Sequence, residues 1–309
     1  MRVFLMGGTG LIGTRLIRRL RARGDEVVLL TRRPEVAQTL WGQECRVVEG
    51  QPMDTGPWMA AVDDSDAVIN LVGENIFSRR WNAEFRQLLM TSRVKSTENA
   101  VKALAARPRA ANGSPKILVN ASAIGYYGPH GDEEIDEDSP AGNDYLAEIC
   151  VAWEVAARGA EALGVRTTRV RIGLVLDKEG GALKMMITPF KFFAGGPAGL
   201  TGSQYVSWIH FEDMVGILML ALDNPQCQGA INATAPNPVT NKQLAKALGR
   251  ALGRPSLLPT PRLVLRAALG QVASVITTGQ RVLPKKALAL GYQFKFPEID
   301  KAMADVLKA

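Results

Sequence analysis

Three glycines near the start of the chain have the spacing of a phosphate-binding turn. Gly7 directly follows the apolar residues 3–6, and Gly10 and Gly13 come after it at intervals of three. An amphipathic helical pattern covers residues 13–23. Glycine permits a sharp turn and lets backbone N–H groups approach an anion at the positive end of a helix dipole. We therefore predict a dinucleotide pyrophosphate site, with a tight turn that binds nothing as the alternative. The predicted contacts are Gly7, Thr9, Gly10, Leu11, Ile12 and Gly13.

Two arginines stand where the second predicted strand ends, a position at which an NAD site usually has a carboxylate. Residues 27–30 are followed by Thr31, Arg32 and Arg33, without an acidic residue. Guanidinium groups are planar and permanently charged, and they bind phosphate through paired hydrogen bonds. We therefore predict NADP(H), whose ribose 2′-phosphate these three residues would hold. Arg33 also precedes Pro34, so projection into water is the alternative for its side chain.

Further short segments carry a family resemblance. They are residues 69–76, 80–81, 92–93, 122–128, 153–154, 207–210, 234–240 and 279–284. Together with the GxxGxxG glycines, they make the chain resemble the extended short-chain dehydrogenases/reductases, and more closely an atypical epimerase-family subgroup with a C-terminal domain of unknown function. The resemblance covers nearly the whole chain. It implies a Rossmann domain that binds NADP(H), a smaller substrate domain, and oxidoreductase or epimerase chemistry on an undefined substrate.

The catalytic residues of ordinary members are only partly present. Those members use a tyrosine with a lysine four residues later, which lowers the pKa of the phenol. None of the five tyrosines here has a lysine at that spacing. Ser122 is expected to hydrogen-bond a substrate oxygen, and Tyr126 or Glu74 is expected to act as acid or base. The alternatives are a strand-end hydroxyl, a packed ring and a solvated carboxylate, respectively.

The missing pair leaves two functional hypotheses open. One is an enzyme that transfers hydride and moves a proton through Ser122 and Tyr126, or instead through Glu74 or a water molecule. The other is a catalytically silent NADPH-binding sensor or scaffold, for example in cell division.

Most of the remaining cofactor candidates lie near the carboxyl ends of other predicted strands, where open α/β sheets bind ligands, and Arg93 lies on the predicted helix 84–106. For the cofactor they are Asn70, Leu71, Val72, Gly73, Arg93, Ala121, Ser122, Arg171 and Gly173. For the substrate they are Arg80, Trp81, Tyr127 and His210. Arg80 and Trp81 indicate an anionic or ring-bearing small molecule. The alternatives are helix-start packing for that pair, ring packing for Tyr127 and a buried structural role for His210.

Short apolar runs alternate with helical stretches, which requires crossover connections and a parallel sheet covered on both faces. The predicted strands are residues 3–6, 27–30, 46–49, 67–72, 117–121, 165–171 and 230–233, and the first three predicted helices are residues 13–23, 84–106 and 144–163. The predicted fold is therefore a doubly wound α/β sheet with a smaller, mostly helical C-terminal domain. Residues 1–172 and 208–235 would form the first domain, and residues 173–207 and 236–309 the substrate side. After residue 172 we expect loops and a short helix rather than a new sheet.

Composition excludes several classes of protein. The chain has 309 residues, 47% of them hydrophobic, a net charge of +7, three cysteines without CxxC spacing and two histidines. We expect no metal centre, no disulfides and no membrane span, and a cytoplasmic location. The basic residues are dispersed, which favours a solvated surface over nucleic-acid binding. The expected partner is a small-molecule substrate, and analogy suggests a homodimer through residues 84–106 and 144–163.

Overall fold

A computed structural model describes residues 1–308. The strands are β1 (Arg2–Met6), β2 (Glu26–Thr31), β3 (Arg46–Glu49), β4 (Ala67–Asn70), β5 (Ile117–Ala123), β6 (Glu134–Ile135), β7 (Arg166–Ile172), β8 (Leu174–Leu176), β9 (Tyr205–Val206), β10 (Trp208–His210), β11 (Gly229–Ala233), β12 (Val239–Thr240) and β13 (Arg281–Val282). The helices are α1 (Leu11–Ala22), α2 (Pro34–Trp41), α3 (Ala83–Ala106), α4 (Tyr145–Arg158), α5 (Gly181–Lys191), α6 (Phe211–Asp223), α7 (Asn241–Leu252), α8 (Arg262–Leu269), α9 (Ala273–Thr277), α10 (Lys285–Ala289) and α11 (Ile299–Lys308).

Seven strands form one parallel sheet in the order β11-β7-β5-β4-β1-β2-β3. The strand order reverses between β4 and β1, and ligands of open α/β sheets bind at the carboxyl edge of such a reversal. The doubly wound fold predicted from the alternating pattern is confirmed. Its topology brings the turn after β1 and the residues after β4 to the same edge.

Alternate side chains of β1 belong to different layers of the core. Val3 and Leu5 are buried in the apolar cluster that includes residues of α1 and α6, whereas Phe4 and Met6 belong to the cluster that includes residues of α3. Successive side chains of a strand point to opposite faces of a sheet, so a central strand covered on both faces is apolar throughout. This double burial fixes the position of the glycine turn that follows Met6.

Several element boundaries differ from the predictions. The first helix begins at Leu11 rather than at residue 13, and β4 ends at Asn70 rather than at residue 72. The predicted helix 144–163 divides into α4 and a single turn of 3-10 helix at Glu161–Leu163. The sequence patterns also gave no indication of α2.

The expectation of no further sheet after residue 172 is wrong. Strand β8 pairs with β10 in parallel, and β9 pairs with β12 in antiparallel orientation. Each of these strands has two or three residues, too few for an alternating pattern to be visible in the sequence. The predicted return of residues 230–233 to the main sheet is confirmed, because β11 pairs with β7.

The C-terminal half has a separate apolar cluster. Leu183 and Phe190 of α5 pack with Leu244 and Leu248 of α7 and Met303 of α11. A capping box begins α7, with the Thr240 side chain accepting from the Gln243 backbone N–H. The division into residues 1–172 with 208–235 and residues 173–207 with 236–309 stays a prediction. Within residues 1–308, no helix combines the length and apolar character needed to cross a bilayer.

Candidate functional site

The turn between β1 and α1 has a backbone that only glycine fits. Gly7 has a φ of +82°, and a Cβ atom added to it would lie 2.9 Å from the carbonyl carbon of Leu71. A Cβ atom on Gly13 would lie 2.5 Å from the Gly7 carbonyl oxygen. Real Cβ atoms do not approach other atoms so closely, so the turn can form only without side chains at these positions.

The amino terminus of α1 is open to a ligand. Gly10 is the N-cap residue, no side chain caps the helix, and its first turn contains no acidic residue. The first N–H groups of a helix have no partner within it, and they carry the positive end of its dipole. A Cβ atom on Gly10 would meet only the Gly7 carbonyl oxygen, at 3.3 Å. The turn therefore offers unshielded donors to an anion, as a dinucleotide pyrophosphate requires.

Arg32 and Arg33 follow β2, which lies beside β1 with Leu30 opposite Met6. Both arginines are exposed, and neither forms an ion pair with any acidic side chain of residues 1–308. The buried Thr31 accepts a 3.1 Å hydrogen bond from the Arg33 backbone N–H, which fixes the turn out of the strand. Two uncompensated positive charges therefore stand at the edge next to the glycine turn.

A cavity of about 960 Å³ opens at the carboxyl edge of the sheet. Twelve of the predicted site residues line it: Gly7, Gly10, Leu11, Ile12, Gly13, Leu71, Gly73, Glu74, Arg93, Ala121, Ser122 and Gly173. The other predicted residues lie outside its lining: Thr9, Thr31, Arg32, Arg33, Asn70, Val72, Arg80, Trp81, Tyr126, Tyr127, Arg171 and His210. The structure thus brings together the glycine turn, the ends of β4 and β5, and Ser122.

Ser122 is held by a buried ion pair. Its Oγ donates a 2.8 Å hydrogen bond to Glu154 Oε1, and Glu154 accepts from Arg171 Nε at 2.8 Å and from Arg171 Nη2 at 3.0 Å. Burial alone would lower the pKa of Arg171, but hydrogen bonds and charge attraction from Glu154 outweigh it and raise that pKa. Arg171 therefore positions Ser122 through Glu154, and it does not line the cavity.

Tyr126 and Tyr127 pack around the same arginine. The Arg171 guanidinium lies 3.5 Å from the ring centroid of Tyr126. Tyr127 is fully buried, donates to Asn232 Oδ1 at 2.7 Å and accepts from Arg171 Nη1 at 2.9 Å. Burial raises the pKa of Tyr127 to about 12, so its phenol stays protonated near neutral pH. The structure places both rings among the partners of Arg171 rather than at the predicted positions beside substrate.

Asn70 shapes the turn after β4 from inside the protein. Its Nδ2 donates to Thr97 Oγ1 at 3.0 Å and to Asn120 Oδ1 at 2.9 Å, while its Oδ1 accepts from the Val72 N–H at 3.1 Å. The side chain is fully buried, and both of its N–H groups are used within the protein. Asn70 thus positions Leu71 and Gly73, which do line the cavity.

Arg93 and Glu74 face the cavity from the loop after β4 and from α3. Arg93 donates to the backbone oxygens of Glu74 and Leu89, both at 2.9 Å, and burial lowers its pKa. Glu74 Oε1 accepts from Ser78 Oγ at 3.0 Å. Arg93 has no carboxylate partner within residues 1–308, so it is a cation held by carbonyl groups and available to a ligand.

Three of the four predicted substrate residues form hydrogen bonds with backbone groups of the protein. Arg80 donates to the Ala267 backbone oxygen of α8 at 2.9 Å, and Trp81 Nε1 donates to the Ile76 backbone oxygen at 2.8 Å. His210 is fully buried, and its Nδ1 accepts from the Glu212 N–H at the start of α6. None of the three side chains lines the cavity, although Ile76, to which Trp81 donates, does. The roles of Arg80, Trp81 and His210 toward a substrate stay predictions.

The sequence reasoning missed three residues at or beside the cavity. Cys150 of α4 lines it, and burial raises the pKa of that thiol to about 12. Tyr205 is the only tyrosine of residues 1–308 that lines it. Glu154 accepts the hydrogen bond of Ser122. The sequence could have indicated Glu154, because it lies on the buried face of α4 together with Ala147 and Cys150. A charge on an apolar helix face indicates a buried partner.

A doubly wound parallel sheet with a glycine turn entering its first helix defines the Rossmann class of nucleotide-binding folds. The family model described as the NAD dependent epimerase/dehydratase family matches residues 3–233, and a domain of unknown function, DUF1731, matches residues 260–306. The chain belongs to the NAD dependent epimerase/dehydratase family. The family resemblance predicted from the short motifs is thereby confirmed.

Similar proteins extend over the full chain. The epimerase family protein SDR39U1 homolog, chloroplastic, of Arabidopsis thaliana is 42% identical over 100% of this chain and 87% of its own length. The crystal structure of human epimerase family protein SDR39U1 (isoform 2) with NADPH has 37% identity and a TM-score of 0.87, covering 100% of this chain and 99% of that one. A UDP-glucose 4-epimerase of Thermotoga maritima, solved with UDP-glucose, has 14% identity and a TM-score of 0.79 over 100% of this chain and 98% of that one, which shows the fold alone.

Proposed function

We propose that this protein is an NADPH-dependent oxidoreductase or epimerase that acts on a small-molecule carbonyl or hydroxyl compound. The observation that carries the proposal is the open glycine turn beside two unpaired arginines, Arg32 and Arg33. A diphosphate fits the turn, and a 2′-phosphate fits the guanidinium groups. The presence of NADPH in the human SDR39U1 crystal structure supports the same choice of coenzyme.

The cofactor would be held along one wall of the cavity. Gly7, Gly10 and Gly13 would receive the pyrophosphate, with Thr9, Leu11 and Ile12 supplying further backbone, and Thr31, Arg32 and Arg33 would receive the 2′-phosphate. The remaining wall residues proposed to contact it are Leu71, Gly73, Arg93, Ala121, Ser122 and Gly173.

The chemistry would centre on Ser122. When bound, NADPH supplies a hydride to a carbonyl carbon and is released as NADP⁺. The Ser122 Oγ–H points to Glu154, so its lone pairs can accept from a substrate hydroxyl. In the oxidation direction, the substrate proton would pass to Oγ as the Oγ proton passes to Glu154, and reduction reverses both transfers. Glu74 and Tyr205 line the same cavity and are alternative proton carriers.

A silent NADPH-binding sensor or scaffold is the second candidate function. The observation that favours it is the cavity face of α4, where Leu146, Ile149, Cys150 and Trp153 occupy the helix that carries the tyrosine and lysine of ordinary members. Such a protein would bind NADPH without oxidising it.

The two candidates are distinguished by NADPH oxidation in the presence of a panel of ketones and aldehydes. We expect turnover, and we expect Ser122→Ala to lower kcat about 100-fold, as for loss of an acid–base group. The Kd for NADPH should change by less than about threefold, because Ser122 is one of many proposed contacts. Gly10→Val, whose side chain would project from the helix N-cap toward the bound anion, should abolish binding and turnover together. Tight NADPH binding without oxidation by any compound of the panel would favour the sensor.

We also propose a cytoplasmic setting and a homodimer. The three cysteines are free and buried, as in proteins of reducing compartments.

A dimer would use α3 and α4, which pack against each other within the chain. Light scattering would measure the oligomeric state.

A further inference from the structure

The cavity wall that faces the sheet carries no charge. This wall is formed by residues 174–280, and none of its lining residues in the described chain is acidic or basic. Its surface comes from Met185, Met186 and Phe190 of α5, Leu244 of α7 and Leu265 of α8. Such a surface stabilises apolar groups removed from water and offers a charged group no compensation.

Two polar side chains of this wall have hydrogen-bond partners within the protein. Ser207 Oγ donates to the Gln280 backbone oxygen at 2.8 Å and accepts from the Val282 N–H at 2.8 Å. Asn241 Oδ1 accepts from the Ala198 N–H at 2.7 Å. The Ser207 hydroxyl and the Asn241 side-chain oxygen therefore stabilise the wall through hydrogen bonds within the protein.

The charges that do line the cavity lie on the opposite side. They are Glu74, Arg93 and Asp144. Arg93 is the single cation of that lining within residues 1–308, and it is proposed above to contact the coenzyme. A nucleotide diphosphate or a carboxylate at the uncharged wall would lack the guanidinium or ammonium partners that such anions require. Arg80, which indicated an anionic substrate in the sequence, is bonded to α8 instead.

We propose that the substrate is an apolar ketone or aldehyde, or the corresponding alcohol, with its oxygen at Ser122 and its hydrocarbon body against α5, α7 and α8. This inference rests on the proposed function and adds the substrate class. The cavity of about 960 Å³ would be shared with the coenzyme, so the substrate would occupy the part that lies between Ser122 and the uncharged wall.

The test is calorimetric titration of the NADP⁺-loaded full chain, which cannot reduce a bound ketone, with 2-hexanone, 2-decanone and UDP-glucose. Burial of each methylene should tighten binding about threefold to fourfold, on the order of 100-fold between the two ketones. UDP-glucose should not bind at the concentrations that saturate with 2-decanone. Equal affinity for the two ketones, or tighter binding of UDP-glucose, would overturn the proposal.

Two substitutions on α8 provide a matched pair. Leu265 is half-buried and lines the cavity, whereas Leu263 on the same helix is 81% exposed and does not. Leu265→Glu should weaken 2-decanone binding by about tenfold or more, because it places a charge on the apolar wall. Leu263→Glu should change it by less than about twofold. Equal effects would contradict the placement, and Met185→Glu, at a cavity residue 41% exposed, replaces the first variant if that one does not fold.

Failure of the inference can be told from failure of the proposed function by titrating NADPH separately. Chain-length-dependent ketone binding without any NADPH binding would support the substrate class and overturn the coenzyme. NADPH binding with turnover only of a UDP-sugar or of short carbonyls would overturn the substrate class and leave the coenzyme proposal standing.

Discussion

Arginines in this chain fall into those that have an ionic partner and those that do not. Arg15 pairs with Asp177, Arg23 with Asp25, and Arg171 with Glu154. Arg32 and Arg33 have no such partner within residues 1–308. A phosphate that reaches these two groups breaks no existing ion pair, so its attraction is not offset by a lost interaction.

At this scale we expect Arg32→Asp to change the coenzyme preference. Loss of a charge-assisted hydrogen bond, with a carboxylate in its place, should weaken NADPH binding about 10-fold to 100-fold. NADH should be affected by less than about threefold, since a carboxylate can accept from the ribose hydroxyls. Fluorescence titration of both coenzymes measures this. Arg18→Asp, on the exposed face of α1, is the control and should leave both affinities unchanged.

The residues that could be predicted from sequence are those set by local geometry. Gly7, Gly10 and Gly13 are recognisable because a turn and a helix start need them at fixed spacing. The roles of Tyr127 and Arg171 could not be predicted, because their hydrogen bond joins residues 44 positions apart and depends on the packing of α4 against the sheet. Their positions at strand ends predicted that Tyr127 and Arg171 lie near the site. The directions of their side chains depend on tertiary contacts, which the sequence does not show.

Helix α8 is attached to the rest of the molecule by few contacts. None of its residues is buried, although Leu265 and Leu269 line the cavity. Two side-chain hydrogen bonds tie it down: one from Arg80 to Ala267 and one from Arg262 to Thr277. Elements with few buried contacts open locally at low free energy, which suits a helix that covers a binding site.

We therefore expect Arg80→Ala to loosen α8 specifically. Loss of one hydrogen bond of about 1 kcal/mol should speed hydrogen exchange of the α8 amides about fivefold. Exchange in β1 should not change. Arg79→Ala is the control, because the Arg79 guanidinium lies over Phe85, 4.7 Å from its ring centroid, rather than on α8. If the hydrogen exchange of α8 is unchanged in Arg80→Ala, the hydrogen bond from Arg80 to Ala267 does not stabilise this helix.

Helices and strands were predictable from the sequence where their hydrophobic patterns extend over many residues. Strand β1 and helix α3 extend over enough residues for their character to be visible, and the predicted start of α3 is off by a single residue. The pairing of β8 with β10 was not predictable, because it depends on Leu174 meeting Trp208 from a distant part of the chain. Short strands of this kind follow from tertiary packing rather than from propensity.

At the scale of the whole molecule, His210 connects the two halves. It ends β10, its ring stacks on Phe296 with centroids 3.8 Å apart, and its Nε2 lies 3.2 Å from Asp305 Oδ2, although no hydrogen bond forms there. Burial lowers the pKa of His210, and this outweighs the attraction of Asp305, Asp213 and Glu212.

The free energy of unfolding should therefore fall as the pH falls below the ordinary histidine pKa of 6.5. In the window between that value and the lower folded pKa, the unfolded chain binds a proton that the folded chain does not, so stability rises with pH there. Urea unfolding between about pH 7.5 and about pH 5.5 measures the slope, which should be shallower for His210→Gln. Identical slopes would mean that His210 titrates normally in the folded protein.

The account depends most on the coenzyme site, and the direct test is fluorescence titration of the wild-type chain with NADPH and with NADH at equal ionic strength. We predict that NADPH binds at least about 10-fold more tightly, because two free guanidinium groups meet its 2′-phosphate. Equal affinity for the two coenzymes, or no binding of either, would contradict the account.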